Sequence, residues 1–125
     1  MKRVIFAEDD QHITMLVEFC LEDIGCELET FNNGATAYER IQAGPEPDLV
    51  MLDLQMPGMN GLEILTALKA DPKRSHIPVL IVSARAKDAD RTRAIEYGAS
   101  AYLTKPFDTN ELCDKVRTLS APGAS

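Results

Sequence analysis

Short apolar runs and amphipathic helical patterns take strict turns along this chain, and that alternation limits the fold more than any single residue does. Val4 to Ala7, Leu49 to Leu52 and Val79 to Val82 are unbroken and partly β-branched, as strands covered on both faces should be. They read as the central strands of a parallel sheet. Cys26-Glu27-Leu28-Glu29-Thr30 alternates between apolar and polar residues and Ala101-Tyr102-Leu103 is brief, so these two read as its edges.

The segments between the strands carry helical spacing. Ile13, Leu16, Val17, Cys20, Leu21 and Ile24 fall on one face of a helix that Gly25 ends as a left-handed cap. A second helix is expected from about Ala35 to Ala43, before Gly44-Pro45. A third, from about Leu62 to Ala70 with Ile64, Leu65 and Leu68, stops at Asp71-Pro72. The fourth, about Asp88 to Tyr97 before Gly98, has only Ala89, Ala94 and Ile95 as anchors and should be the least firmly packed. The last opens with Asp108 and Glu111 in capping-box spacing and buries Leu112, Val116 and Leu119. Five strands alternating with five helices imply right-handed crossovers and helices on both faces, an open doubly wound α/β sheet.

Size and composition exclude several classes. With 125 residues, 45% hydrophobic and 26% charged, the chain suits one globular domain with one core. Residues 1–120 are expected to form it, and Ala121 to Ser125 a tail or linker remnant. Three cysteines, Cys20, Cys26 and Cys113, without CxxC spacing fit neither a disulfide framework nor a zinc site. No apolar run approaches the ~18 residues of a membrane span, and the first residues lack a signal peptide's apolar core, so a soluble cytoplasmic protein is expected. A formal charge of −7 disfavours direct contact with nucleic acid phosphates.

In doubly wound sheets ligands bind beyond the carboxyl ends of the strands. Those positions hold Glu8-Asp9-Asp10 after the first strand, Asp53 after the third, Ser83-Ala84 closing the fourth and Lys105-Pro106 after the fifth. The three acids after the first strand could alternatively be a solvated loop that stabilises the next helix N-terminus, and Lys105 could be a structural partner of a carboxylate. Asp53 directly follows a buried central strand, where an acid is unfavourable unless a cation or donor answers it. Carboxylates held this close repel one another unless a hard divalent cation lies among them, and Mg2+ suits an oxygen-only set.

Taken together, Val4-Ile5-Phe6-Ala7-Glu8-Asp9-Asp10, Asp48 through Gly61 with Asp53 and Met56-Pro57-Gly58, Val79-Leu80-Ile81-Val82-Ser83-Ala84 and Gly98 through Phe107 closely resemble the receiver domain of two-component response regulators, the family that includes chemotaxis regulators. The resemblance covers about residues 2 to 119. It implies a flavodoxin-like five-stranded sheet in order 2-1-3-4-5. It also implies that Asp53 accepts a phosphoryl group from a histidine kinase or histidine phosphotransfer protein. In that case Asp9 ligates Mg2+ directly, Glu8 mostly through water and Gln55 through its backbone carbonyl, with Asp53 completing the set. Ser83 then bonds the phosphoryl group, Lys105 balances its charge, and a cis peptide before Pro106 aims the lysine inward. Asp10 occupies a variable position and is not assigned as a ligand.

The resemblance implies a signalling phosphoacceptor that assists only its own phosphorylation and dephosphorylation. Ser83 and Tyr102 are the expected switch, with Tyr102 turning inward on phosphorylation and the face of the fourth helix, fifth strand and fifth helix meeting a downstream protein or output domain. Lys87, Arg91 and Tyr102 are the candidate partner contacts there. Gly98-Ala99-Ser100-Ala101-Tyr102 lacks the paired acids that support salt bridges across a dimer in transcription-factor receivers, so no oligomeric state follows. His12 and His76 are expected at the surface, and Met56 and Met59 to pack beside the acceptor. Two other classes fit poorly. An aspartate-nucleophile phosphohydrolase needs a general acid where Gln55 stands, and a flavodoxin-like cofactor binder needs a phosphate loop where Glu8-Asp9-Asp10 would repel phosphate.

Overall fold

The three unbroken apolar runs form the middle of a five-stranded, all-parallel sheet. Its strands are β1 (Lys2–Ala7), β2 (Cys26–Phe31), β3 (Leu49–Leu52), β4 (Val79–Ser83) and β5 (Ala101–Thr104), in the order β2-β1-β3-β4-β5. The helices are α1 (Gln11–Asp23), α2 (Gly34–Ala43), α3 (Gly61–Ala70), α4 (Asp88–Glu96) and α5 (Thr109–Ser120). The computed structural model describes residues 2–121. Most of the expected tail, residues 122–125, lies outside the described residues.

The alternating direction of strand side chains divides the core in two. On one face Ile5, Val50, Leu52, Val79 and Ile81 meet Ala37 and Ile41 of α2, Ile64, Leu65 and Leu68 of α3, and Ala94 of α4. On the other, Val4, Phe6, Met51, Leu80, Val82 and Leu103 meet Val17, Cys20 and Leu21 of α1 and Leu112 and Val116 of α5. Both faces of β1, β3 and β4 are thereby dry, which is why those runs contain no polar residue.

Several helix details depart from expectation. Leu16 is 39% exposed and stands with exposed Met15 and Phe19 on the outer side of α1. Val17, Cys20 and Leu21 are buried against the sheet with Ile13 and Ile24 packed beside them, and Leu16 lies at the edge of that stripe. In α4 only Ala94 is buried. Ala89 is exposed and Ile95 is 46% exposed, because this short, mostly polar helix stands over the outer part of the sheet and buries only Ala94 against it. Asp108 caps α5 through the amides of Asn110 and Glu111, without a reciprocal bond from Glu111 among the described contacts. The full capping box is at α3, where Asn60 and Glu63 exchange hydrogen bonds of 2.9 and 3.0 Å. Gly25 has the left-handed conformation expected of a cap, with φ of 76°.

The loop from β3 to α3 is held by close backbone approaches that only glycine allows. The Gly34 amide donates to the Pro57 carbonyl at 2.9 Å, and a Cβ at Gly34 would lie 1.7 Å from the Met59 carbonyl oxygen. A Cβ at Gly61 would lie 2.3 Å from the carbonyl oxygen of Asp53. These contacts pin both ends of the loop that follows Asp53. Gly34→Ala must push that loop away and should lower the unfolding free energy by about 1–3 kcal/mol, the range for overpacking. Urea denaturation checks this, and an unchanged midpoint would show that the loop yields freely.

Candidate functional site

Each of the three central charged residues occupies the first position past a strand, and each is placed by one further rung of the sheet's own ladder. The Glu8 amide donates to the Phe31 carbonyl at 2.9 Å, the Asp53 amide to the Ala7 carbonyl at 3.1 Å, and the Lys105 amide to the Ser83 carbonyl at 2.8 Å. The strand order makes β1 and β3 neighbours, so Glu8 and Asp53 stand side by side. Lys105 reaches them from β5 across the end of β4.

The side chains converge. Lys105 Nζ donates to Asp53 Oδ2 at 2.9 Å and lies within 2.5 Å of Glu8 Oε1. The second contact is a close, buried ion pair. Asp53 Oδ1 accepts the Gln55 amide at 3.1 Å. One carboxylate oxygen from each of Glu8, Asp9 and Asp53 lies within 4.8 Å of the others. Glu8 and Asp53 are buried, whereas Asp9 is exposed. Three carboxylates converging to this distance, with a single ammonium among them, fit a hard divalent cation. The adjoining cleft, about 350 Å³, is lined in part by Glu8 and Asp9. A larger concavity of about 700 Å³ runs along α5 and includes none of these groups.

Burial dominates the electrostatics. It pushes Glu8 from its ordinary 4.5 up to about 7, against hydrogen bonding by Lys105 and the Asp10 amide. For Lys105, burial works to lower the pKa, but its bonds to Glu8 and Asp53 and their charges outweigh that and raise it. The lysine therefore stays charged.

Ser83 is fully buried at the end of β4, where its Oγ accepts the Arg85 amide at 3.1 Å. Lys105-Pro106 is cis, as the resemblance implied. Asp10 faces away from the cluster as the N-cap of α1, accepting from the amides of His12 and Ile13. His12 is exposed, and so is His76, whose Nε2 pairs with Glu46 at 2.9 Å. Met56 and Met59 pack against the core.

Tyr102 lies inside, 8% exposed, with its hydroxyl donating to the Arg85 carbonyl at 2.7 Å. Lys87 is an exposed N-cap without a side-chain cap bond, whereas Arg91 turns back onto β5. Sequence reading also passed over Arg85, whose amide and carbonyl bond Ser83 and Tyr102 respectively. Its backbone carries that role, so its residue type held no signal.

Removing Lys105 would leave Glu8 and Asp53 facing each other unpaired. In metal-free buffer Lys105→Ala should cost about 3 kcal/mol, the low end for breaking a buried pair, and Glu8→Gln in the same chain should recover part of it. Denaturant titration of both variants decides this. No recovery in the double variant would show that Lys105 acts by packing rather than by charge.

Comparison with known proteins places this arrangement. A family described as the response regulator receiver domain matches residues 4–117. The chain is 35% identical over 125 residues to the transcriptional regulatory protein CpxR homolog of Haemophilus influenzae, covering 100% of this chain and 53% of that protein. It is 32% identical over 119 residues to the phosphate regulon transcriptional regulatory protein PhoB of Rhizobium meliloti, covering 95% and 52%. The chain thus spans about half the length of these relatives. Among solved structures it resembles the receiver domain of the Francisella response regulator 1452, with TM-score 0.88, 28% identity and coverage of 96% and 97%. It also resembles the Mn(2+)-bound form of response regulator Rcp1, with TM-score 0.82, 27% identity and coverage of 94% and 90%. The chain belongs to the receiver domains of two-component response regulators, a family of signalling phosphoacceptors.

Proposed function

We propose that Asp53 is the phosphoacceptor, that the acids around it hold Mg2+, and that phosphorylation is read out on the face made by α4, β5 and α5. One observation carries this reading: the buried Asp53 carboxylate meets Lys105 at 2.9 Å while sharing a group of oxygens with Glu8 and Asp9. An Asp53 oxygen attacks the phosphorus of a phosphohistidine in line. The new O–P bond forms as the P–N bond breaks, and the electron pair leaves with the imidazole of a histidine kinase or histidine phosphotransfer protein. Asp53 is then an acyl phosphate.

Glu8, Asp9, Asp53 and the Gln55 carbonyl would hold the cation, which supplies charge neutralisation for the phosphoryl oxygens. The similar response regulator Rcp1 has a Mn(2+)-bound form, which supports a divalent cation in this fold. Lys105, now on Asp53, would pass to a phosphoryl oxygen. The Ser83 hydroxyl accepts from the Arg85 amide and would turn its own proton toward a phosphoryl oxygen. Arg85 follows Ser83 and heads the loop into α4, which links the site to that face.

The donor is a protein, and α1 offers it a place. Met15 and Phe19 are 67% and 75% exposed, with Leu16 beside them, on the helix that starts directly after the acids. A downstream protein or output domain is the other partner. The charge of −7 argues against nucleic acid contact by this domain.

Acetyl phosphate should add one phosphoryl group to the wild-type chain only when Mg2+ is present, and Asp53→Asn should take up none by intact mass. Persistent labelling of that variant would move the acceptor elsewhere. Phe19→Ala should slow transfer from a phosphorylated histidine donor several-fold while leaving acetyl phosphate labelling unchanged, and equal loss with both donors would remove α1 from the docking surface. Millimolar Mg2+ should raise Tm, since native-state binding adds RT ln(1 + [L]/Kd), and Asp9→Asn should abolish most of the rise in a thermal melt.

A further inference from the structure

We propose that Cys113 is a peroxide-sensitive thiol with Cys20 as its partner, so that oxidation ties α1 to α5 through one disulfide. The three cysteines come from α1, β2 and α5, yet all lie in the apolar layer that Val4, Phe6 and Leu80 share with Val17, Leu21 and Val116. Cys20 is buried, Cys26 and Cys113 are half-buried, and each is a free thiol. A single buried cysteine is an ordinary small apolar residue. Here the fold sets two of them against each other across 93 positions of sequence.

The contact begins where α1 runs out of amides. The Ile24 amide, which a continuing helix would send to the Cys20 carbonyl, donates to Leu21 at 3.2 Å instead. The Cys113 thiol takes its place and donates to the Cys20 carbonyl, with Sγ 3.8 Å from the oxygen. That bond holds the Cys113 sulfur over the Cys20 backbone. The neighbouring thiols identify the same pair. After burial, Cys113 acts on Cys20 through both charge and hydrogen bonding, but on Cys26 through charge alone. Cys113 is thus the sulfur at the centre of the group, and Cys26 stands farther off.

Exposure divides the roles. Cys113 is open enough for a small oxidant to reach, whereas burial holds the Cys20 thiol above its ordinary range and keeps it protonated. The Cys113 thiolate attacks one oxygen of hydrogen peroxide. The O–O bond breaks, the departing hydroxide takes up the thiol proton as water, and Cys113 becomes a sulfenic acid. Cys20 then gives up its proton and attacks that sulfur. The S–S bond forms, the S–O bond breaks and a second water leaves. Two thiols are oxidised and one peroxide is reduced to two waters. The product joins the helix that carries exposed Met15 and Phe19 to α5, and a thiol reductant reverses it.

The test treats the reduced whole chain with hydrogen peroxide in buffer containing a chelator, alkylates the remaining thiols and maps the unreduced product by mass spectrometry. The monomer should be lighter by two hydrogens before alkylation, with Cys26 alone alkylated and Cys20 joined to Cys113, and dithiothreitol should restore all three thiols. The mapping uses the wild-type chain, so it does not depend on a variant folding. Cys26→Ala should keep the link. Cys20→Ala should stop at the sulfenic acid, which dimedone traps on Cys113. A link through Cys26, a disulfide between two chains, or a product in which Cys20 and Cys113 are both still alkylated would overturn the proposal. A thermal melt then asks whether the native fold accepts the bond. The oxidised chain should have a higher Tm than the reduced one, because the link constrains the unfolded chain, and a Tm no higher would show that the bond forms only by distorting α1 or α5 and that the fold does not set up the pair.

Discussion

A single ammonium group, Lys105 Nζ, between two buried carboxylates makes the end of this sheet tenable. Glu8 and Asp53 come from adjacent parallel strands, and the ladder that aligns those strands brings the acids together whether or not their charges favour it. Without a cation the pair would have to take up a proton or move apart, and burial already pushes the pKa of Glu8 upward. Lys105 relieves it from two strands away, which requires β4 and β5 to stand on the far side of β3 in this order. The order β2-β1-β3-β4-β5 is therefore an electrostatic arrangement as much as a packing one.

The same geometry leaves the site incomplete in a useful way. One ammonium answers two buried carboxylates while Asp9 adds a third, so negative charge remains in excess at this end of the sheet. A tighter cluster, with every oxygen bonded internally, would be more stable and chemically inert. Sites that must bind and release groups keep this kind of unfinished polarity.

Distance from the site changes the kind of contact that holds the molecule. Near β1 and β3 it is dry apolar packing, which tolerates little displacement. Around α4 it is Ala94, a ring, a guanidinium and a few hydrogen bonds. Polar contacts of this sort can be exchanged for others without exposing much apolar surface, so α4 can shift at modest cost while the rest of the domain stays put. The backbone of Arg85 joins the two regions through Ser83 on one side and Tyr102 on the other.

Local chemistry was readable from the chain alone. The unbroken runs at Val4, Leu49 and Val79 could only be covered on both faces, alternation put Cys26 to Thr30 at an edge, and acids directly after buried strands marked the end of the sheet where charge gathers. Those are properties of neighbouring residues and their periods. What could not be read depended on residues far apart in sequence. Leu16 has helical spacing but lies just beyond the width of sheet available to α1, and Ile95 has no surface opposite it. Gly34 matters because Met59 passes within reach. Lys105 shows no partner in the sequence, and Glu8 and Asp53 stand beside it only because β1, β3 and β5 end together. Tyr102 and Arg91 look like surface residues in sequence, and only the fold sets a guanidinium over the ring. Periodicity assigns each side chain to a face; which group waits on that face is settled by crossovers that join distant segments.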